Sequence, residues 1–168
     1  KTLIDRNART EIRITDYPDS EIDAQTVSQD GYLQSATSKT GITISYAYDA
    51  LGRRTRTVDP RIGASITHYD GNGRVDYVED AADNRTKFGY DPATGRKTWE
   101  KNALGKYTRY SYNDRGQVIH IWGDTTYPVK YEYDQYGRRT QMYTYRDDSN
   151  WNGTAWPETG TADVTTWH

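Results

Sequence analysis

Tyr46-Ala-Tyr-Asp-Ala-Leu-Gly52-Arg53 decides the fold, because its pattern returns four more times along the chain. The copies are Thr67-His-Tyr-Asp-Gly-Asn-Gly73-Arg74, Phe88-Gly-Tyr-Asp-Pro-Ala-Thr-Gly95-Arg96, Tyr110-Ser-Tyr-Asn-Asp-Arg-Gly116-Gln117 and Tyr131-Glu-Tyr-Asp-Gln-Tyr-Gly137-Arg138. The Phe88 copy is one residue longer, so successive glycines lie 21, 22, 21 and 21 residues apart. A fixed period of this length marks an array of supersecondary repeats. Two weaker copies precede these. Asp30-Gly31-Tyr32 sets a glycine 21 residues before Gly52, and Asp5-Arg-Asn-Ala8-Arg9 sets alanine where the glycine would stand. The array is therefore expected to fill residues 1–145 with about seven repeats, the first two degenerate.

Each repeat reads as a β-hairpin. Ile42, Ile44, Tyr46 and Tyr48 fall on one side of an alternating run, with Thr43, Ser45 and Ala47 on the other. A period of two is the signature of a strand. Tyr110 and Tyr112 repeat it, as do Val129, Tyr131 and Tyr133. The opposite face carries Ala47, His68, Gly89, Ser111 and Glu132, a set expected to face solvent. The Asp-x-x-Gly that follows supplies a turn: the carboxylate accepts backbone N–H groups and the glycine takes the left-handed conformation that closes it, with a glycine bulge. Pro92 suits such a turn. A return strand such as Arg74-Val-Asp-Tyr-Val-Glu79 follows, and second turns are expected at 58–63, 79–84 and 101–105. Two strands and two turns per repeat make an antiparallel meander that advances about 9.6 Å per repeat. The expected fold is all-β, a curved or spiralling open sheet whose tyrosines form a continuous aromatic seam.

Composition agrees with a thin sheet. Leu, Ile, Val and Phe together make up 22 of 168 residues, while Tyr contributes 16 and Trp 5. Aromatic rings then supply the apolar area that aliphatic residues usually provide. With 22 basic and 24 acidic residues the net charge is -2, which argues against a basic nucleic-acid binder. No apolar run is long enough to span a bilayer, and without cysteine there is no disulfide or thiolate metal site.

The motif resembles that of the Rhs/YD-repeat proteins. Tyr48-Asp49…Gly52-Arg53, Tyr69-Asp70…Gly73-Arg74, Tyr90-Asp91…Gly95-Arg96 and Tyr133-Asp134…Gly137-Arg138 carry the Tyr-Asp-x-x-Gly-Arg pattern; Tyr112-Asn113…Gly116-Gln117 departs from it at Asn113 and Gln117. That family includes bacterial polymorphic toxins, insecticidal toxin-complex subunits and teneurin ectodomains. The resemblance implies a strip that spirals into a hollow shell, encloses a C-terminal toxin polypeptide and belongs to a secreted or surface-displayed protein. The family's self-cleaving plug is not matched: Asp59-Pro60 and Asp91-Pro92 both sit in ordinary turns. Residues 146–168 read as a long loop or hairpin insertion leading into a truncated next repeat, and the chain reads as a fragment of a longer array.

No residue is assigned a catalytic, metal or cofactor role. His68 and His120 lack a third ligand and are expected to face solvent. Asp70-Gly-Asn-Gly73 lacks the ligand ladder of a calcium loop, Asp147-Asp148-Ser149-Asn150 reads as a solvated acidic tip, and Gly105-Lys106 lacks the rest of a phosphate loop. No nucleophile-elbow or zincin motif occurs. Trp151 and Trp156 are candidate ligand-binding residues, able to stack on sugars while Arg53, Arg54 and Arg56 attract anionic glycans. The competing reading has Trp151, Trp156 and Trp167 covering the end of the seam. The leading expectation is thus a structural wall, the alternative an adhesive module for carbohydrate or protein. Exposed strand edges predict self-association.

Overall fold

The computed structural model describes residues 1–18, 23–146, 155–156 and 160–167. Among them are fifteen strands and no helix, and no helix is long and apolar enough to cross a membrane. Sheet neighbours are sequence neighbours throughout, in an open antiparallel order from β1 to β15. The chain divides into two compact units, 1–85 and 86–168. The first holds β1 (Thr2–Asp5), β2 (Thr10–Thr15), β3 (Ala24–Gln29), β4 (Tyr32–Thr37), β5 (Thr43–Tyr48), β6 (Arg54–Asp59), β7 (Gly63–Tyr69) and β8 (Val75–Glu79). β9 (Arg85–Tyr90) opens the second. It continues with β10 (Lys97–Lys101), β11 (Tyr107–Tyr112), β12 (Val118–Gly123), β13 (Val129–Tyr133), β14 (Arg139–Tyr145) and β15 (Ala162–Thr166).

The Tyr-Asp hairpins close as their residues dictate. Gly52 N–H donates to the Asp49 carbonyl at 3.0 Å and Asp49 N–H to the Arg53 carbonyl at 2.9 Å, the pattern of a type I turn with a glycine bulge. Asp70, Asn113 and Asp134 repeat both bonds with their own glycine and following residue. A second irregularity follows in each return strand. Pairing runs Tyr48 with Arg54 but Ala47 with Arg56, leaving Thr55 as an extra residue. Asp76, Thr98, Ile119 and Thr140 are the corresponding extras. Each stands three places after its glycine.

The first two hairpins differ from expectation. The left-handed residue of the first turn is Arg9 (φ 52°), one place beyond Ala8, and its guanidinium pairs with Asp30 at 2.6 Å. Asp30 (φ 54°) and Gly31 (φ 84°) are both left-handed and join the paired residues Gln29 and Tyr32. That is a two-residue I′ turn, so Gly31 does not play the part of Gly52. The opposite rim uses the same side-chain chemistry: Asp80 accepts the Ala82 and Asn84 N–H groups, and Asn102 those of Leu104 and Lys106.

Very little is fully buried; among the described residues only Asp59, Trp122, Gly123 and Pro128 are. Stability therefore rests on lateral contacts between neighbouring repeats. The face opposite the tyrosines is also less open than expected. Ala47 and His68 are exposed, but Gly89, Ser111 and Glu132 are half-buried. A Cβ on Gly89 would overlap the Trp99 ring, Ser111 Oγ bonds His120 Nδ1 at 2.8 Å, and Glu132 accepts Lys130 Nζ at 2.8 Å. Long side chains on the paired strands reach across small ones, as cross-strand neighbours about 5 Å apart can.

Candidate functional site

The repeated motif forms a ladder between hairpins, built outward from the turn aspartate. Asp49 accepts the N–H groups of Leu51 and Arg53 on Oδ1 and the Arg53 guanidinium on Oδ2, at 2.7 Å. Asp70 and Asp134 hold Arg74 and Arg138 in the same way. Arg53, so fixed, leans onto the next hairpin. Arg53 lies 4.4 Å from the centre of the Tyr69 ring, and a Cβ on Gly73 would come within 3.2 Å of its Nη1. Gly73, at φ +82°, thus serves both the turn and its neighbour's arginine. Arg96 reaches the next hairpin too, donating to the Asn113 carbonyl at 3.2 Å and lying 5.8 Å from the Tyr112 ring. Gln117 replaces the cation with a hydrogen bond, its Nε2 donating to the Gly137 carbonyl at 2.9 Å. Arg138 is 77% exposed and reaches the Tyr136 ring of its own turn, against 29% exposure for Arg53.

The tyrosine hydroxyl completes the ladder. Tyr48, Tyr69, Tyr112 and Tyr133 donate to the carbonyls of Leu33, Arg54, Lys97 and Val118, at 2.9, 3.1, 2.7 and 2.7 Å. Each acceptor lies fifteen residues upstream, immediately before the extra residue of the preceding hairpin's return strand. A bulge interrupts the ladder of backbone bonds, and an uncapped carbonyl there would be costly. The next repeat's tyrosine caps it. Phenylalanine would supply the ring but not the cap.

Charge follows the same pattern. Arg74 and Arg138, through their backbone N–H groups first and their side chains next, hold Asp70 and Asp134 below the usual carboxylate range. Desolvation pushes Asp49 upward, but the hydrogen bonds of Arg53 and Leu51 outweigh it and leave the group low. Asp59, clasped by the Arg61 guanidinium and N–H, falls to about 2. These carboxylates are committed acceptors; Asp70, expected in a turn and not a calcium loop, spends its oxygens on Asn72 and Arg74.

The return-strand residues that alternate with the rings of the seam include several cations. Arg54 lies over Tyr46, Arg139 over Tyr131, and Lys97 over both Phe88 and Tyr110. Return strands bring basic residues between successive rings, which adds cation–π contacts to ring-to-ring packing such as that of Tyr32 and Tyr48 at 5.1 Å. His68 is exposed, stacked on Tyr77 at 4.8 Å and bonded to Asp76 at 3.0 Å. His120 is not solvent-facing as expected: the Trp156 ring stacks on it at 4.1 Å and 12°. Trp156 also meets Trp122 and Tyr145 edge-on, which makes it a cover for β12 and β14. Trp151 and the acidic run 147–150 lie outside the described residues, as does most of the expected insertion. Trp99, Lys97 and Trp122 were missed by motif reasoning; their only signal is their position on return strands, where the repeat is least regular.

No protein-family model and no curated protein matches the chain. Solved structures do. The chain is similar to a TcdB2-TccC3-Cdc42 crystal structure, with a TM-score of 0.62 and 17% identity over 92% of this chain and 10% of that one. For TcdB2-TccC3-TEV the TM-score is 0.65 at 16% identity, over 95% of this chain and 10% of the other. The Photorhabdus luminescens Tc holotoxin pore gives 0.60 at 18%, over 80% and 8%. The fold and the ladder define a strip of Tyr-Asp β-hairpin repeats, and the chain has the fold of a segment of these toxin-complex structures. It spans about a tenth of their length.

Proposed function

We propose that this chain is a wall segment of a YD-repeat shell that encloses a toxin polypeptide, in a protein secreted by or displayed on a bacterium. The observation that carries the reading is the capping of four carbonyls at the bulges, each by the tyrosine of the following hairpin. A wall must extend by repetition without leaving unpaired backbone groups along its length, and this device does so. Its role is containment, with no catalytic residues of its own. A half-buried, hydrogen-bonded, charge-laced sheet offers an enclosed chain little hydrophobic surface on which to fold. The likeness to toxin-complex structures supports the same role.

The test is protease protection in the longest native protein that contains this array. The polypeptide that follows the array should resist a broad-specificity protease. It should become sensitive when Tyr112→Phe and Tyr133→Phe open the ladder. Equal cleavage with and without an intact array would sink the reading. An adhesive module, the second reading, would instead retain glycans or proteins on its aromatic and arginine faces, and would lose them in Trp156→Ala.

A further inference from the structure

A cleft of 430 Å³ on the second unit is lined by Thr98, Trp99, Tyr107, Arg109, Tyr110 and Trp122. Its volume falls within the roughly 300–1,000 Å³ of small-ligand sites. The pairing explains its composition: Arg109 of β11 stands directly opposite Trp99 of β10 and Trp122 of β12. The three side chains therefore cross neighbouring strands on one face. Tyr107, two residues along β11, shares that face; it meets Trp99 edge-on at 5.5 Å and carries the Arg109 guanidinium 4.5 Å from its ring centre. Lys101 brings a second cation, 5.1 Å from the same ring.

Arg109 Nη1 is buried and has no hydrogen-bond partner. Buried donors in folded proteins are almost always satisfied, and an exception asks for an explanation. Asp124 Oδ2 accepts the Tyr107 backbone N–H at 2.8 Å, and the cleft's own lining holds no acid. The cleft lining thus offers one cation and no acid, an orphaned planar donor and the Trp99 indole as a wall, with the buried Trp122 beneath.

We propose that this cleft binds the carboxylate-bearing ring of an acidic sugar, a hexuronate. The carboxylate pairs with the guanidinium donors other than the buried Nη1; their paired N–H groups form a fork shaped for it. The apolar C–H face of the sugar lies against Trp99 and Tyr107, and the Lys101 ammonium attracts the anion. A neutral sugar would leave Arg109 unsatisfied, and an acidic peptide lacks the flat ring that indole walls select. This site stands apart from the wall reading, since none of its side chains belongs to the tyrosine ladder.

The experiment titrates the full chain with oligogalacturonate, following tryptophan fluorescence and the indole N–H resonances of Trp99 and Trp122. We expect saturable binding that moves those two resonances. The neutral galactose oligomer should bind about tenfold more weakly or worse, as the loss of a charge-assisted contact implies. Arg109→Gln, with its circular dichroism unchanged, should lose a similar factor. Should that variant misfold, the acidic-against-neutral comparison on the unaltered chain decides alone. Equal binding of both sugars, no binding at millimolar oligogalacturonate, or tighter binding of a polyglutamate peptide would each overturn the proposal. Cargo protection is measured separately, so either idea can fail while the other stands.

Discussion

Tyrosine rather than phenylalanine is the choice at Tyr48, Tyr69, Tyr112 and Tyr133, because each hydroxyl reaches a carbonyl that the preceding bulge has freed. Replacing Tyr112 by Phe keeps the ring and strands the Lys97 carbonyl. The expected loss is about 1–2 kcal/mol in urea unfolding. Tyr136→Phe is the control: that ring is 75% exposed, and its loss should be near zero. The turn aspartates predict a pH dependence. Asp49, Asp59, Asp70, Asp80, Asp91 and Asp134 all have lowered values in the folded chain. Unfolded, they would protonate at the ordinary 3.8; folded Asp59 holds its charge down to about 2. Their stabilisation is therefore complete above the ordinary value and lost as pH falls toward the folded one. Thermal unfolding followed between pH 5 and pH 2 should move to lower temperature as the acid is added, on the scale of about one to a few pH units. Asp59→Asn should flatten the lowest part of that curve. A midpoint that stays constant over the range would refute the assignment.

At the scale of the element, the extra residue three places after each glycine governs which side chains face which way. Ile119 separates the Tyr112–Val118 pair from the Ser111–His120 pair. Deleting it would heal the bulge with Val118 still opposite Tyr112 and His120 still opposite Ser111, so His120 and Trp122 should keep their faces. Trp122 is 6% exposed and meets Trp156 edge-on, so the near-ultraviolet dichroism of the cluster should survive that deletion. Trp122→Ala, by contrast, should abolish that signal and cost roughly 3 kcal/mol or more, the loss expected for removing a buried tryptophan from its packing. Sequence alone disclosed the hairpins and their turns but not this device. Thr55, Asp76, Thr98, Ile119 and Thr140 share no chemistry that would mark them out. The first two turns were misread for a related reason: Arg9 and Asp30 are left-handed without being glycine, a conformation that no residue type announces reliably.

Across the whole molecule, the open strand order leaves β1 and β15 as edges. Ile4 on β1 is 68% exposed and Val164 on β15 is 52% exposed. Edges of this kind template pairing with another chain, and lysine on the edge is the usual remedy. Sedimentation of the chain should show association that grows with concentration. Ile4→Lys together with Val164→Lys should shift it toward monomer without changing the far-ultraviolet spectrum. A strict monomer at high concentration in the unaltered chain would count against edge pairing.

The sequence by itself determined the period, the alternation of the strands and the Asp-x-x-Gly turns, because each depends on residues only a few positions apart. It also determined that Tyr48, Asp49, Gly52 and Arg53 act as one motif. Only the tertiary structure decided what the motif is for. Arg53 lies on the Tyr69 ring of the next hairpin, and Tyr69 reaches back to the Arg54 carbonyl, a contact that exists only once two repeats lie side by side. It likewise set Arg109 between Trp99 and Trp122, residues 10 and 13 positions away along the chain that pairing brings opposite one another. Local sequence carries dihedral and periodic preference; the satisfaction of a buried polar group is settled by whatever the neighbouring strand presents.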